Sequence, residues 1–188
     1  MRALLVLSCL VLAACAPAAG KPAALPDRAL PSTDGAAHRL PDLVRAAPFT
    51  VVFFFSADCS CQRAHDARLR ELAATYEPRG VRFVAVDAEA TATVAGDARE
   101  AKERGYTFPM LTDPEGTTAD ALGAVWATYA VVMDARGTVH YRGGLDSDRS
   151  TTTAGATLWL RDAIDHALAG QPAQPAETAS LGCALRRK

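Results

Sequence analysis

The chain has 188 residues, a hydrophobic fraction of 49% and a formal net charge of −1. That length suggests one domain with tails, and the hydrophobic content supports a real core. Near-neutral charge without a basic patch excludes an electrostatic case for nucleic-acid binding.

Residues 1–14 read as a signal peptide. Arg2 gives a short positive n-region, and Ala3 to Val11 form an apolar run too short to span a bilayer comfortably. Leu12-Ala-Ala-Cys15 resembles the bacterial lipobox, in which the cysteine is lipidated and becomes the first mature residue. An ordinary secretory signal cut near Ala16 or Ala18 is the alternative. Either reading places the mature domain outside the cytoplasm, on the periplasmic side of the cell envelope, where disulfides persist. Alanine at position 16, by resemblance to enteric lipoproteins, favours the outer membrane. Residues 15–26 are rich in Ala and Pro and read as a flexible tether between anchor and domain.

The domain is expected over residues 27–170. Asp34-Gly35 is a turn signal, so a small N-terminal β-hairpin is expected, with one helical turn near Pro41–Arg45. Phe49 to Phe55 carries no charge and is rich in aromatic and β-branched residues, the pattern of a strand buried on both faces. The period then changes. Leu69, Leu72, Ala73 and Tyr76 recur at i, i+3, i+4 and i+7, so a helix is expected from about Cys61 to Tyr76. A second buried strand follows at Val81–Val86, then a helix over 93–104 capped by Gly105. A short extended stretch is expected at 108–111, a short helix at 117–123 and a third strand at 129–133. Asp134-Ala-Arg-Gly137 turns the chain back into an antiparallel strand at 138–142. Residues 143–153 read as loop, 155–169 as the last helix and 171–188 as a tail carrying Cys183. The order is β-α-β-α-β-β-α, an α/β class with a central mixed sheet flanked by helices.

The chemistry concentrates in cysteine. Of five cysteines, Cys9 leaves with the signal and Cys15 would carry lipid, so Cys59, Cys61 and Cys183 remain. An odd number in an exported protein points to a free or exchanging thiol. Cys59 and Cys61 lie where a buried strand meets a helix. The free N–H groups of a helix start stabilise a thiolate, the nucleophilic form of cysteine. The residues therefore point to a thiol-redox protein, with Cys59 exposed at the bend as nucleophile. Asp58 opposes this, because a nearby carboxylate raises a thiol pKa.

Phe53-Phe-Phe-Ser-Ala-Asp-Cys59, Gly80-Val-Arg-Phe-Val-Ala-Val-Asp87, Phe108-Pro-Met-Leu-Thr-Asp-Pro114 and Val132-Met-Asp-Ala-Arg-Gly-Thr-Val-His-Tyr-Arg-Gly143 together resemble the thioredoxin-like superfamily. Within it they are most similar to the redoxin branch, the alkyl hydroperoxide reductase/thiol-specific antioxidant proteins and the membrane-tethered thiol-disulfide oxidoreductases. The resemblance implies a thioredoxin-like fold, thiol chemistry and no cofactor. The ending Leu181-Gly-Cys183 is similar to that of some redoxin-like bacterial proteins. The departures matter. The second cysteine of Cys-X-X-Cys is replaced by Gln62. Ser56 stands for the hydroxyl residue of the peroxiredoxin motif, but its proline position holds Val52. Thr128, which opens a strand, stands where thioredoxins have a cis-proline and peroxiredoxins an arginine.

Two resolving thiols stay open. Cys61 is two residues from Cys59, and residues i and i+2 point to different sides of a helix, so that bridge needs a distorted first turn. Cys183 would close a loop of 124 residues (183 − 59), worth about 5 kcal/mol in the entropic model. A static Cys61–Cys183 staple is a third pattern. The expected activity is thiol-disulfide exchange on envelope proteins or small thiols, with Ser56 and Thr128 in support. The first alternative is a peroxiredoxin-like peroxidase passing through a sulfenic acid on Cys59. The second is copper(I) binding by Cys59, Cys61 and His65, with His65 otherwise a solvated helix residue.

Overall fold

The computed structural model describes residues 22–188. The signal segment, Cys15 and most of the tether lie outside the described residues. The elements follow the expected order. A short hairpin, β1 (Ala29–Pro31) and β2 (Ala37–Arg39), leads into α1 (Leu40–Arg45) and the central strand β3 (Phe49–Phe55). Then come α2 (Ser60–Tyr76), a 3-10 turn (Glu77–Arg79), β4 (Val81–Asp87), α3 (Val94–Arg104) and β5 (Met110–Thr112). The chain continues through α4 (Thr117–Leu122), β6 (Ala130–Asp134), β7 (Val139–Gly143) and α5 (Trp159–Leu168).

The five-stranded sheet has the order β5-β4-β3-β6-β7. β3 pairs in parallel with β4 and antiparallel with β6, which makes it the middle strand. Its composition explains this place. Phe53 and Phe55 enter one apolar cluster with Leu69 of α2 and Ile164 of α5. Val52 and Phe54 enter the opposite cluster with α1, α4 and Leu185 of the tail. A strand with both faces covered is apolar at nearly every position; here Thr50 is the one polar residue, and the strand ends where the two cysteines begin.

Most boundaries shift by a residue, and the two larger shifts have local reasons. β5 starts at Met110, because Pro109 lacks the N–H a ladder needs and contributes only its carbonyl, to Ala85 (3.0 Å). α5 starts at Trp159, because Thr157 exchanges hydrogen bonds with Ser147 and is held in the preceding loop. The larger difference is the tail. It folds back over the domain, meeting β7 through Arg142 and Glu177 and reaching the segment before β6 through Trp126 and Ala184.

Candidate active site

Cys59 is the N-cap of α2, with extended backbone (φ −85°, ψ 107°). Its Sγ accepts the backbone N–H of Gln62 at 3.4 Å, the bond an N-cap side chain makes to the first turn. It also accepts the N–H of Cys183 at 3.3 Å. Two N–H donors and the positive end of a 17-residue helix all favour negative charge on this sulfur. Cys59 and Cys183 are joined in a disulfide, with Cα atoms 5.6 Å apart across 124 residues of sequence.

The expectation that Cys59 is exposed at the bend is corrected. It is 1% exposed, because the Cys183 segment covers it, while its position at the helix start holds. Asp58 is exposed, and its carboxylate is paired with Arg186 of the tail at 2.6 Å. Cys61 sits in the first turn of α2, buried and free. The three sulfurs of Cys59, Cys61 and Cys183 lie within 4.8 Å of one another.

His65 is not a solvated residue and does not join the sulfurs. It is 3% exposed, with Nδ1 at 2.6 Å from the Cys61 carbonyl and Nε2 at 2.9 Å from Asp146. Both ring nitrogens are thereby engaged, which removes it from the copper(I) ligand set proposed with Cys59 and Cys61. With Cys59 and Cys183 bonded to each other, Cys61 alone offers a thiolate; all three sulfurs become available as ligands only in the reduced protein. Burial pushes His65 towards its neutral form, but the hydrogen bonds to Asp146 and the Cys61 carbonyl and the Asp146 charge together outweigh it, and the pKa is raised above 6.5.

A buried polar network braces the Cys59 loop from beneath. Gln62, where thioredoxins have their second cysteine, is fully buried. Its Oε1 accepts the Ser56 N–H at 3.2 Å, and its Nε2 donates to the Tyr106 hydroxyl at 3.4 Å. Tyr106 donates to Asp66 at 2.5 Å, and burial followed by Asp66 pushes its phenol pKa well up. Arg104 ties the same carboxylate at 3.2 Å, the Ala57 carbonyl at 2.9 Å and Glu100 at 2.9 Å, with its guanidinium over the Phe55 ring. Gln62, Asp66, Arg104 and Tyr106 were missed from sequence. Gln62 and Asp66 share a face of α2 at i, i+4, but no spacing ties them to Arg104 on the next helix or to Tyr106 in the loop after it.

Ser56 contributes backbone to the site. Its carbonyl accepts the Cys59 N–H at 3.2 Å. Thr128 has φ +68°, which among the described residues no other non-glycine adopts with positive sign. Its N–H donates to the Phe54 carbonyl at 2.9 Å, and its Oγ1 meets Ser180 of the tail at 3.2 Å. On the other side of the loop an acidic cleft of about 200 Å3 is lined by Asp58, Asp87, Glu89, Asp97 and Arg186. Burial first, then the Asp97 carboxylate, pushes the pKa of Asp87 up.

A mixed sheet with this strand order, a cysteine capping the helix after its central strand and a disulfide at that cap define a redoxin of thioredoxin-like fold. The family model of the AhpC/TSA family matches residues 22–142, and the chain belongs to that family. Comparison with the curated proteins finds no match. Among solved structures, the chain is similar to an uncharacterized conserved protein of Geobacillus kaustophilus, with 31% identity, TM-score 0.80 and 93% and 94% of the two chains covered. It is also similar to the peroxidoxin BcpB of Mycobacterium tuberculosis (23% identity, TM-score 0.54, 81% and 94% covered). A secreted disulfide oxidoreductase of the same organism, homologous to DsbE of E. coli, shares the fold (18% identity, TM-score 0.56, 76% and 95% covered).

Proposed function

We propose that the protein is an extracytoplasmic thiol-disulfide oxidoreductase in which Cys59 is the nucleophile and Cys183 the resolving thiol. The observation that carries the reading is the placement of Cys59 Sγ, at a helix N-cap, under two backbone N–H donors and in a disulfide with the tail. In the reduced protein the Cys59 thiolate attacks one sulfur of a substrate disulfide. A Cys59–substrate bond forms, the substrate S–S bond breaks, and the departing sulfur leaves with the electron pair and takes a proton. The Cys183 thiolate then attacks Cys59 Sγ, releases the second substrate thiol and leaves the Cys59–Cys183 disulfide. An external dithiol returns the two electrons.

Exchange is favoured over peroxide reduction by what surrounds the sulfur. Among the described residues the hydrogen bonds to Cys59 Sγ come from backbone N–H groups. Arg104 and Arg186 are both committed to carboxylates, so neither is placed to polarise a peroxide. The partners are envelope protein disulfides or small thiols, met by a domain anchored through lipidated Cys15. Insulin reduction with a dithiol donor tests the reading. Turnover that disappears in Cys59→Ser supports it; peroxide consumption without disulfide turnover overturns it in favour of a peroxidase.

A further inference from the structure

The segment Gly182–Arg187 lies on the domain as an extended peptide. The Ala127 N–H donates to the Cys183 carbonyl at 2.8 Å, and the Leu185 N–H donates to the Val125 carbonyl at 3.0 Å. On the other side the Ala90 N–H donates to the Arg186 carbonyl at 2.8 Å. This is recognition of a strand through its backbone, with side chains left to set preference. Leu185 is buried in the cluster with Val86 and Leu122. Arg186 donates from both its backbone N–H and its side chain to Glu89 and pairs with Asp58. Arg187 pairs with Asp120. Gly182 lies so close to the Ala127 carbonyl that any Cβ would collide with backbone. The cysteine of this peptide is bonded to Cys59. The arrangement is that of a substrate caught as a mixed disulfide, with the chain's own end as the peptide.

We propose, resting on the exchange reading above, that this groove is the polypeptide-binding site, that residues 182–187 are its built-in occupant, and that the external substrate is an extended protein segment whose disulfide cysteine has glycine before it, an apolar residue two positions after it and a basic residue three positions after it. Two further observations point to an external ligand. Val125 and Trp126, on the segment that pairs with the tail, are 48% and 41% exposed, which leaves an apolar margin beside the groove. Glu89 is 3% exposed, and one of its oxygens, Oε1, has no hydrogen-bond partner even with the tail in place. When the tail leaves, Glu89 loses both the backbone N–H and the guanidinium that pair with it. An incoming segment that brings a cation to that point restores the pairing, so the groove favours one. Reduction of Cys59–Cys183 vacates the groove. The Cys59 thiolate then forms an S–S bond to the segment's cysteine as that cysteine's original S–S bond breaks, and its former partner leaves as a thiol.

The test uses full-length Cys183→Ser protein, reduced, and the peptide Leu-Gly-Cys-Ala-Leu-Arg with its cysteine carried as a thionitrobenzoate mixed disulfide. Release of the aromatic thiol gives the rate. Cystamine is the control for Cys59 reactivity. The expected result is a rate roughly tenfold above that of the analogues with valine for glycine or glutamate for arginine, a difference of about 1.4 kcal/mol each. Added salt and Glu89→Gln should each shrink the arginine-to-glutamate ratio towards one. Equal rates for the three peptides, with normal reaction towards cystamine, overturn the groove assignment and leave the exchange reading standing. No reaction with cystamine overturns both.

Discussion

Gly182 packs against the carbonyl of Ala127 with no room for a side chain between them. That contact sets the register in which Cys183 reaches Cys59, since the next carbonyl along, that of Cys183, accepts the Ala127 N–H. Gly182→Val should therefore leave the domain folded but push the tail outward. The equilibrium constant for forming the Cys59–Cys183 bond against glutathione should fall at least roughly tenfold, equivalent to about 30 mV. Alkylation of the two thiols across a glutathione redox series measures it.

Arg104 and Asp66 form a buried ion pair whose other ligands, Tyr106 and the Ala57 carbonyl, belong to the floor of the Cys59 loop. Arg104→Met removes the cation and strands the carboxylate. Breaking a buried pair in this way costs about 3–5 kcal/mol, and urea unfolding at neutral pH reads it. Arg104→Lys should recover part of the loss and no more, because a lysine cannot span Asp66, Glu100 and the Ala57 carbonyl at once.

The pair of His65 and Asp146 gives stability a defined pH window. The His65 pKa is raised above 6.5, so its contribution is complete below that value and is lost as pH rises through the higher folded pKa. Burial pushes Asp146 up, but hydrogen bonds from His65, Arg68 and the Asp148 N–H hold its pKa below 3.8. Its contribution is complete above 3.8 and is lost as pH falls through the lower folded pKa. The pair is therefore at full strength between about pH 4 and pH 6.5. The urea midpoint of the wild type should fall as pH rises above about 6.5, and His65→Gln should flatten that fall.

Local pattern carried much of this architecture. The uncharged run at Phe49–Phe55 gives the central strand with its bounds intact, and the helical spacing of Leu69, Ala73 and Tyr76 gives the face of α2 that enters the core. What depends on contacts far apart in sequence was not legible. His65 looked solvated because its partner Asp146 is 81 residues away, in a stretch with the composition of a loop. Gln62 read as a missing cysteine, yet it is a buried strut between Ser56 and Tyr106. The tail gave only a cysteine and a short motif. Its path depends on backbone hydrogen bonds to residues 90, 125 and 127, which no side-chain pattern announces.

In the proposed cycle Cys59 takes the substrate sulfur and Cys183 displaces it. Its most direct test is peptide mapping of the reduced full-length protein, acid-quenched after one equivalent of a peptide disulfide. The expected result is an early adduct on Cys59 alone, replaced in the wild type by the Cys59–Cys183 crosslink, with Cys61 free to be alkylated after denaturation. In Cys183→Ser the Cys59 adduct should persist. An adduct on Cys61, or a Cys59–Cys61 crosslink as the end state, would contradict it.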